Sequence, residues 1–405
     1  MEIDLNLKKV FVSDDFNLVH TGGLIIKNIL DLRLHEFFFI SFYFILFIFF
    51  IKFIIKIQKL DKNKVYFLLS YHYLFVILAY IYSLLYVNDI DTFFQLAYSF
   101  NDTEDHFMAN NNIVRINHYL IYFFNLHFFS IFIFIGFFSS IGFLLLFISF
   151  NEILTKFKLK KNLLFGLFLI PSWHFFTSFP GKDAIFLFSL GLFCFYLIKK
   201  KFFYLIIPII LIYSIRPHMV YLFLASGFFV WLHYFLIKIS KNKIIYITIF
   251  VSFSTLLLFF FKNFNPNYFY LIVNFSEQGE IFRNYSNGHK GWYETGNNIL
   301  SNSLKYLLYP IFDFSTLNRS VMSIENILII SLFLIACLNY DKIIFVKMIK
   351  KKEILFLILF FIISLVTLSN FTANIGISAR QKWMMTPFLI LFLVPFLNNF
   401  KFYKK

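Results

Sequence analysis

The sequence predicts an all-α, polytopic integral membrane protein with about eleven transmembrane helices and one large outer loop. Of its 405 residues, 60% are hydrophobic and only 14% are charged, whereas soluble domains carry about 25% charged residues. The mean hydropathy is +0.75. Apolar runs of roughly 20 residues, enough to cross a hydrocarbon core of ~30 Å, recur along the chain.

The apolar runs are expected to be helices, because backbone exposed to lipid must satisfy its hydrogen bonds internally. The run at 120–150 is too long for one straight span and is expected to begin as a re-entrant or interfacial segment around Asn125 and His127. Three of the other runs are short. In chain order, the predicted helices are 37–57, 65–87, 120–150, 162–179, 184–198, 202–215, 218–237, 243–261, 326–340, 353–369 and 383–399.

Lysine is concentrated in short segments between these runs, and strict alternation of the spans puts all of the segments on one side. The positive-inside rule assigns that side to the cytoplasm, so the N-terminus is expected outside and the C-terminus inside. The net charge of +16 therefore reflects membrane anchors, and nucleic acid is not an expected partner. The lysine segments are 51–64, 151–161, 199–201, 238–243, 341–352 and 401–405.

The chain is interpreted as one polytopic domain, 1–405, without the internal repeats of inverted-repeat transporters. Two outer segments, 88–119 and 262–325, are long enough to form lids or partly helical caps. The first carries Asp89 and Asp91 just after the second predicted helix. A carboxylate at the membrane edge can act as general base on a hydroxyl, although acids in an outer loop are often only solvated.

The arginines all fall on the predicted outer side, and none belongs to a lysine segment. Guanidinium makes forked contacts with phosphate or carboxylate, whereas lysine is a point charge. The arrangement predicts an anion-binding surface on the outer face; the alternative is structural pairing with Asp and Glu. These residues are Arg33, Arg115, Arg216, Arg283, Arg319 and Arg380.

The segment 171–183 (PSWHFFTSFPGKD) closes one predicted helix and opens the next at the outer surface. Lys182 and Asp183 lie at the new helix N-terminus, where the helix dipole and backbone amides favour an anion. The alternative is that Asp183 caps the helix while Lys182 snorkels to the interface. His174, about two turns before the break, is a candidate proton acceptor or a histidine that only hydrogen-bonds a neighbour.

Two further polar segments border predicted helices at the outer edge. In Ser214–His218, proline interrupts the helix between Arg216 and His218, and an arginine at that depth needs an anion or a carboxylate. In 370–382, Arg380 and Lys382 occupy the first turn of the last helix. Positive charge there opposes the helix dipole, so a headgroup, side chain or phosphate is expected to compensate it.

Several kinds of chemistry find no support in the sequence. Cys194 and Cys337 lie far apart in apolar runs and form neither a disulfide framework nor a metal motif. A phosphate-cradling Gly-rich loop, a nucleophile elbow and zinc-ligand spacing are missing. No cofactor and no metal are therefore expected.

The order of these motifs resembles the Wzy-like polymerases of O-antigen and exopolysaccharide repeat units. The resemblance covers roughly 171–390 and rests on PSWHFFTSFPGKDAI, YSIRPHM, a large outer loop, YPIFDF, SIEN and NIGISARQKWMMTP. It implies a glycosyltransferase of the bacterial plasma (inner) membrane. Such an enzyme moves a growing glycan from undecaprenyl diphosphate to the next lipid-linked repeat unit on the outer face, without a metal.

The resemblance also implies roles for residues. Arginines would hold the diphosphate, with Arg216, Lys182 and Arg380 at the appropriate depth and Arg283 and Arg319 as further candidates. The candidates for the base are His174, His218, Asp183 and Asp89. In the 262–325 loop, Trp292, Tyr285 and Tyr293 are available to stack on sugars. Expected partners are undecaprenyl-diphosphate-linked glycans and membrane lipids, with chain-length regulator or flippase proteins as further candidates.

Three other interpretations stay open. A glycosyltransferase that uses a polyprenyl-phosphate-linked single sugar would depend on Asp89 and Asp91. A lipid-linked oligosaccharide flippase or other transporter would place polar residues near mid-membrane in broken helices, whereas nearly all charges here are predicted at the edges. A structural scaffold would need no pocket at the outer face.

Overall fold

The computed structural model describes residues 34–85, 97, 109–157, 161–239, 299–310, 312, 314, 315, 317–371 and 380–397. Within these residues the chain is helical and contains no strand. It divides into two compact units, 1–217 and 218–405. The first unit contains α1 Leu34–Gln58, α2 Lys62–Leu85, α3 Ala109–Tyr122, α4 Phe128–Lys156, α5 Lys161–Leu167, α6 Pro171–Thr177, α7 Lys182–Ile198 and α8 Ile206–Ile215, the last preceded by a 3-10 turn at Phe202–Leu205.

The second unit begins within the first turn of α9. Its described helices are α9 Pro217–Ile239, α10 Ile299–Leu308, α11 Leu317–Leu338, α12 Lys342–Ile349, α13 Lys352–Phe371 and α14 Thr386–Leu397. Most of the predicted outer loop at 262–325 lies outside the described residues. Its end contains α10 and the start of α11.

The chain is a multi-pass, all-α membrane protein by the length and composition of its helices. In the described part, α1, α2, α4, α9, α11 and α13 are long and apolar enough to span a membrane, and the bent pair α6–α7 raises the number from six to as many as seven. The prediction was about eleven. The difference arises because several predicted runs form short helices, as in α8 and α14, and because 243–261 lies outside the described residues.

Two predicted helices are interrupted in the structure. The run at 120–150 breaks between Tyr122 and Phe128, and Asn125 there adopts a positive φ of 50°. The helix predicted at 162–179 is two short helices, α5 and α6. Pro171 starts α6 as its first residue, the position where the missing proline N–H costs no intrahelical bond.

Helices α4 and α7 make the closest backbone contact of the first unit. A Cβ placed on Gly142 would lie 2.6 Å from the backbone carbonyl of Leu187, and one placed on Gly191 would collide with the carbonyl oxygen of Gly142. Small residues let membrane helices approach this closely, which increases van der Waals contact where lipid offers no hydrophobic driving force. The glycine crossing holds α4 against α7 near the middle of both helices.

The lysine-bearing ends of the first unit lie together. The Glu152 carboxylate of α4 forms ion pairs with the Lys156 ammonium at 3.1 Å and with the ammonium of Lys199, just after α7, at 2.7 Å. At the start of α2, Lys64 lies 5.9 Å from the ring centre of Phe165 in α5. Three lysine segments that are separate in sequence therefore share one end of this unit.

In the second unit, α9 packs on α13, and lysine-bearing segments again lie together at one end. Phe223 of α9 stacks on Phe360 of α13 with ring centres 4.3 Å apart. At the lysine end, Tyr234 donates its hydroxyl to the Lys350 carbonyl at 2.9 Å, and the Lys352 ammonium lies 4.8 Å from the centre of the Tyr234 ring. The grouping of lysine-bearing helix ends thus holds in each unit.

Candidate functional site

The first polar cluster is an ion pair between the start of α7 and the end of α8. Arg216 Nη2 donates to Asp183 Oδ1 at 2.5 Å, and the two residues are 7% and 3% exposed. The guanidinium also lies 5.9 Å from the centre of the Phe186 ring. Two segments that the sequence analysis treated separately meet here, and the partner of Arg216 is a carboxylate.

Local chain breaks bring these two side chains together. The segment Ser178–Gly181 turns the chain so that α6 and α7 are bent by 113°. Gly181 is the N-cap of α7, and its cap contains no side-chain hydrogen bond, so Asp183 does not cap the helix. Its carboxylate lies in the first turn, at the positive end of the helix dipole, and pairs with Arg216 instead.

Arg216 is placed by the end of α8. Its backbone N–H donates to the Ile212 carbonyl at 2.7 Å, and Pro217 then begins α9. Next to it, Asn112 of α3 donates to the Ser214 carbonyl at 2.5 Å. This bond satisfies one of the last carbonyls of α8, which have no donor within the helix because α8 ends at Ile215.

The second polar cluster lies where α2, α4 and α6 meet, and all of its side chains are fully buried. His72 Nδ1 lies 3.0 Å from His174 Nδ1, and His72 Nε2 lies 2.7 Å from Ser139 Oγ. His174 Nε2 lies 2.7 Å from the Phe168 carbonyl. The His174 ring stacks on Phe143 with centres 4.3 Å apart.

The proton positions in this cluster follow from its geometry when both rings are neutral. A carbonyl only accepts, so His174 carries its hydrogen on Nε2 and donates to Phe168. His174 Nδ1 is then an acceptor, and His72 must donate to it from Nδ1. The Ser139 hydroxyl lies 2.7 Å from His72 Nε2 and 3.0 Å from the Gly136 carbonyl, and it completes the chain when its one hydrogen is donated to His72. Every nitrogen of the two rings is then satisfied without a charge.

The second unit contains a third polar cluster, built around Lys382. This side chain is 6% exposed. Its Nζ donates to the Tyr309 carbonyl and lies 3.5 Å from Asn326 Oδ1, while Asn326 donates to the Pro310 carbonyl at 2.8 Å. Burial lowers the pKa of Lys382 to about 7, and the Glu325 carboxylate opposes this shift. Protein groups compensate the charge that the sequence analysis placed at this helix start.

Three motifs of the resemblance meet at Lys382. YPIFDF supplies Tyr309 and Pro310, SIEN supplies Glu325 and Asn326, and the lysine itself belongs to NIGISARQKWMMTP.

The remaining predicted site residues are dispersed. Lys182 is the first residue of α7 and half-buried, and His218 is the second residue of α9 and half-buried. Arg319 is exposed near the start of α11, where Nη1 lies 3.4 Å from Ser315 Oγ. Arg380 is half-buried in a helical turn before α14. The other predictions, Asp89, Asp91, Arg283, Trp292, Tyr285 and Tyr293, lie outside the described residues.

Two side chains of the second cluster, His72 and Ser139, were not among the predicted site residues. His72 carries the same signal that singled out His174, since it is an ionisable residue inside an apolar run. Ser139 carries no such signal, because serines in membrane helices commonly bond their own backbone, as Ser149 does with the Leu145 carbonyl at 2.7 Å.

Comparisons with known proteins do not identify a relative of this chain. No family model, no curated protein and no solved structure matches the chain. Among the residues that the structure describes, no group of three or more His, Cys, Asp and Glu side chains is placed to hold a metal ion.

Proposed function

We propose that this protein polymerises undecaprenyl-diphosphate-linked oligosaccharide repeat units on the outer face of a bacterial plasma membrane. The observation that carries the proposal is the buried Asp183–Arg216 pair, because it joins the two most distinctive motifs of the resemblance at one helix end. The proposal includes about eleven spans, a large outer loop at 262–325, an outer N-terminus and a cytoplasmic C-terminus.

The proposed reaction is a glycosyl transfer without a metal. A hydroxyl oxygen of the acceptor repeat unit attacks the anomeric carbon of the donor glycan. The bond from that carbon to the diphosphate oxygen breaks, and undecaprenyl diphosphate leaves with the bonding electrons. The hydroxyl proton passes to a base. Of the four predicted candidates, His218 and Asp89 are proposed for this role, because Asp183 is paired with Arg216 and His174 is fully buried.

In this reaction Arg216 contacts the diphosphate and Asp183 orients the guanidinium. A preoriented cation stabilises charge that develops on a leaving group without reorganising during the reaction. The forked geometry of guanidinium suits a diphosphate in a way that an ammonium does not. Lys182 is proposed as a further contact to this carrier, and Arg380 keeps its predicted role as an anion-binding residue of the outer face.

The decisive experiment is deletion of the gene followed by electrophoresis of the surface glycan. We expect the ladder of chain lengths to collapse to a single repeat unit and to return with the wild-type gene. Arg216→Gln and Arg216→Lys should lower polymerisation on the order of 10²-fold, at equal protein abundance in membranes. Lys156→Gln is the matched control, since it removes a cation that is likewise paired with a carboxylate, that of Glu152, but lies at the lysine-bearing end of α4. An unchanged ladder after deletion would refute the proposal.

The sidedness in the proposal has its own test. Cysteine at Ser315, an exposed position before α11, should react with a membrane-impermeant maleimide added to intact spheroplasts. Cysteine at Lys351, in a lysine segment, should react only after the membrane is opened. The reverse pattern would place the arginines on the cytoplasmic side and exclude an outer-face reaction.

A second candidate function is transport of the lipid-linked oligosaccharide. It is favoured by the buried polar chain of His72, Ser139 and His174 beside the broken pair α6–α7, because transporters place polar groups at interrupted helices within the membrane. Deletion of the gene would distinguish transport from polymerisation. Loss of a transporter leaves the repeat unit protected from a glycosidase added outside, whereas loss of a polymerase leaves it accessible.

A further inference from the structure

Helix α3 and the residues that follow it form an aromatic surface at the point where α4 begins. Tyr119, Tyr122 and Phe123 are 56%, 58% and 81% exposed, and Phe124 is 44% exposed. Large exposed apolar patches on a folded protein mark an interaction site. This surface belongs to none of the three polar clusters.

The opposite face of α3 is buried against the first unit. Ile113, Val114, Asn117 and Leu120 are at most 5% exposed, and they recur at the spacing of one helix face. The helix has 14 residues, a length of about 21 Å, and begins with a run of asparagines. It is therefore too short and too polar at its start to cross a bilayer.

The turn after α3 is tied to the start of α1. His35 Nε2 lies 3.1 Å from the Asn125 carbonyl, the backbone N–H of His127 donates to Glu36 Oε1 at 2.5 Å, and His127 Nδ1 lies 2.9 Å from Glu36 Oε2. Both α1 and α4 are long enough to span a membrane and begin at this turn. The turn therefore marks the edge of the bilayer.

The aromatic surface continues onto the exposed first turns of α1. Phe37 and Phe38 are 60% and 62% exposed, and the Phe39 and Phe124 rings lie 5.8 Å apart. Glu36, Phe47 and Ile51 of α1 are buried, but its other side is exposed from the first turn to the last, and we expect lipid to cover that side because α1 is long and apolar enough to span a membrane. Tyrosine and other aromatic side chains are favoured at the level of lipid headgroups, where an apolar ring and a polar edge are both satisfied.

We propose that residues 109–124 lie along the bilayer surface as an interfacial anchor, with Tyr119, Tyr122, Phe123 and Phe124 inserted at the boundary between headgroups and acyl chains. The partner of this surface is the lipid itself. Amphipathic helices in this position are buried by about 5–10 Å at the headgroup boundary. The proposal is independent of the proposed catalytic function.

Spin-label depth measurements test the proposal on the full chain in vesicles of phosphatidylethanolamine and phosphatidylglycerol. With Cys194 and Cys337 replaced by serine, labels are placed singly at Tyr119, Tyr122 and Phe123 through Tyr119→Cys, Tyr122→Cys and Phe123→Cys. Collision with oxygen and with a water-soluble nickel complex reports the depth of each label. We expect all three at headgroup level, at depths within about 3 Å of each other.

Two control labels calibrate the depth scale. Leu224→Cys, on an exposed face of α9, should report the hydrocarbon interior, and Lys351→Cys should report water. A helix standing upright would separate positions 119 and 123 by about 6 Å in depth, which would overturn the proposal. So would full access to the nickel complex, or protection from both reagents with dipolar coupling between labels, which would show a second copy on this surface.

Discussion

The two polar clusters of the first unit differ in charge and in position along their helices. The Asp183–Arg216 pair is ionic and lies at helix ends, where α7 starts and α8 stops. The Ser139–His72–His174 chain lies in the body of α2 and α4 and is satisfied as neutral groups. A buried charge is far more costly in hydrocarbon than a neutral polar group with a partner. In the first unit, the ion pair therefore lies at helix ends, and the neutral hydrogen bonds lie within the helices.

Breaking the ion pair should have the largest effect on stability. Arg216→Gln leaves the Asp183 carboxylate buried with its guanidinium removed, at an expected cost of about 3–5 kcal/mol. The measurement is reversible unfolding of the purified protein in mixed micelles. The double variant Asp183→Asn/Arg216→Gln should recover most of that loss, because two neutral amides replace the two charges.

The same pair of variants separates stability from activity. If Arg216 contacts the diphosphate, the stable double variant should still fail to extend the glycan. Restored polymerisation in the double variant would mean that Arg216 only neutralises Asp183, and the ionic cluster would then be structural like the neutral one.

The glycine crossing connects the helices that carry the two clusters, since Ser139 lies on α4 and Asp183 on α7. Gly191→Ala inserts a methyl group into the Gly142 carbonyl, and overpacking of this kind costs about 1–3 kcal/mol. The unfolding midpoint should fall accordingly. Gly166→Ala is the matched control, because no atom lies within 4 Å of its added Cβ. Equal midpoints for the two variants would contradict the close approach of α4 and α7.

Removing one bond of the neutral chain should have a smaller effect. Ser139→Ala deletes the donor to His72 Nε2, and membrane hydrogen bonds of this kind contribute about 0.6 kcal/mol on average. Ser149→Ala, on the same helix, is the control because its hydroxyl bonds only the Leu145 carbonyl among the contacts described. A difference between the two variants above about 2 kcal/mol would indicate that the chain carries a charge.

Nitrogen NMR of labelled histidine sharpens this result. The geometry requires hydrogen on Nε2 of His174 and on Nδ1 of His72, so two neutral tautomers of opposite kind should appear. A doubly protonated ring at neutral pH would place an ion in the interior and break the comparison between the clusters.

The cluster around Lys382 is an intermediate case. Lys382 lies outside the candidate spans, and its ammonium contacts two neutral acceptors, the Tyr309 carbonyl and Asn326 Oδ1. Its pKa is lowered to about 7 in the folded protein, while the unfolded lysine keeps its proton to about 10.4. The unfolded state therefore binds more protons between these values, and stability should rise with pH above 7. Lys382→Met should flatten this rise in unfolding experiments between pH 7 and 9. An unchanged slope would show that another group titrates.

Part of the fold could be predicted from the sequence, residue range by residue range. The apolar runs predicted α1, α2, α9 and α13 within a few residues, because transfer of each side chain into lipid contributes locally. The break at 123–127 was expected only as a re-entrant or interfacial start around Asn125 and His127, and the break at 168–170 was not predicted. They depend on a positive φ at Asn125 and on Pro171, which disfavours a helical backbone at Ile170, and these effects reach only a few residues.

The candidate site was foreseen only in part. Arg216 was expected to need an anion or a carboxylate, and Asp183 was expected to do something at a helix start, but nothing in the sequence paired them. His174 was considered alone, whereas its side chain contacts that of His72, 102 positions earlier. For Arg380, Arg319 and His218, the predicted roles stay predictions.

The sequence was enough to predict a helical, multi-pass membrane protein. It was also enough to predict that helix ends bearing lysines lie together, as they do within each unit. Those properties are sums over neighbouring residues, since the cost of burying a side chain in lipid depends chiefly on its own chemistry. The tertiary structure alone decided which polar groups meet. That choice depends on how each helix is rotated and on how closely backbones approach, as at Gly142 and Gly191. Such contacts join residues far apart in the chain, and no local pattern encodes them.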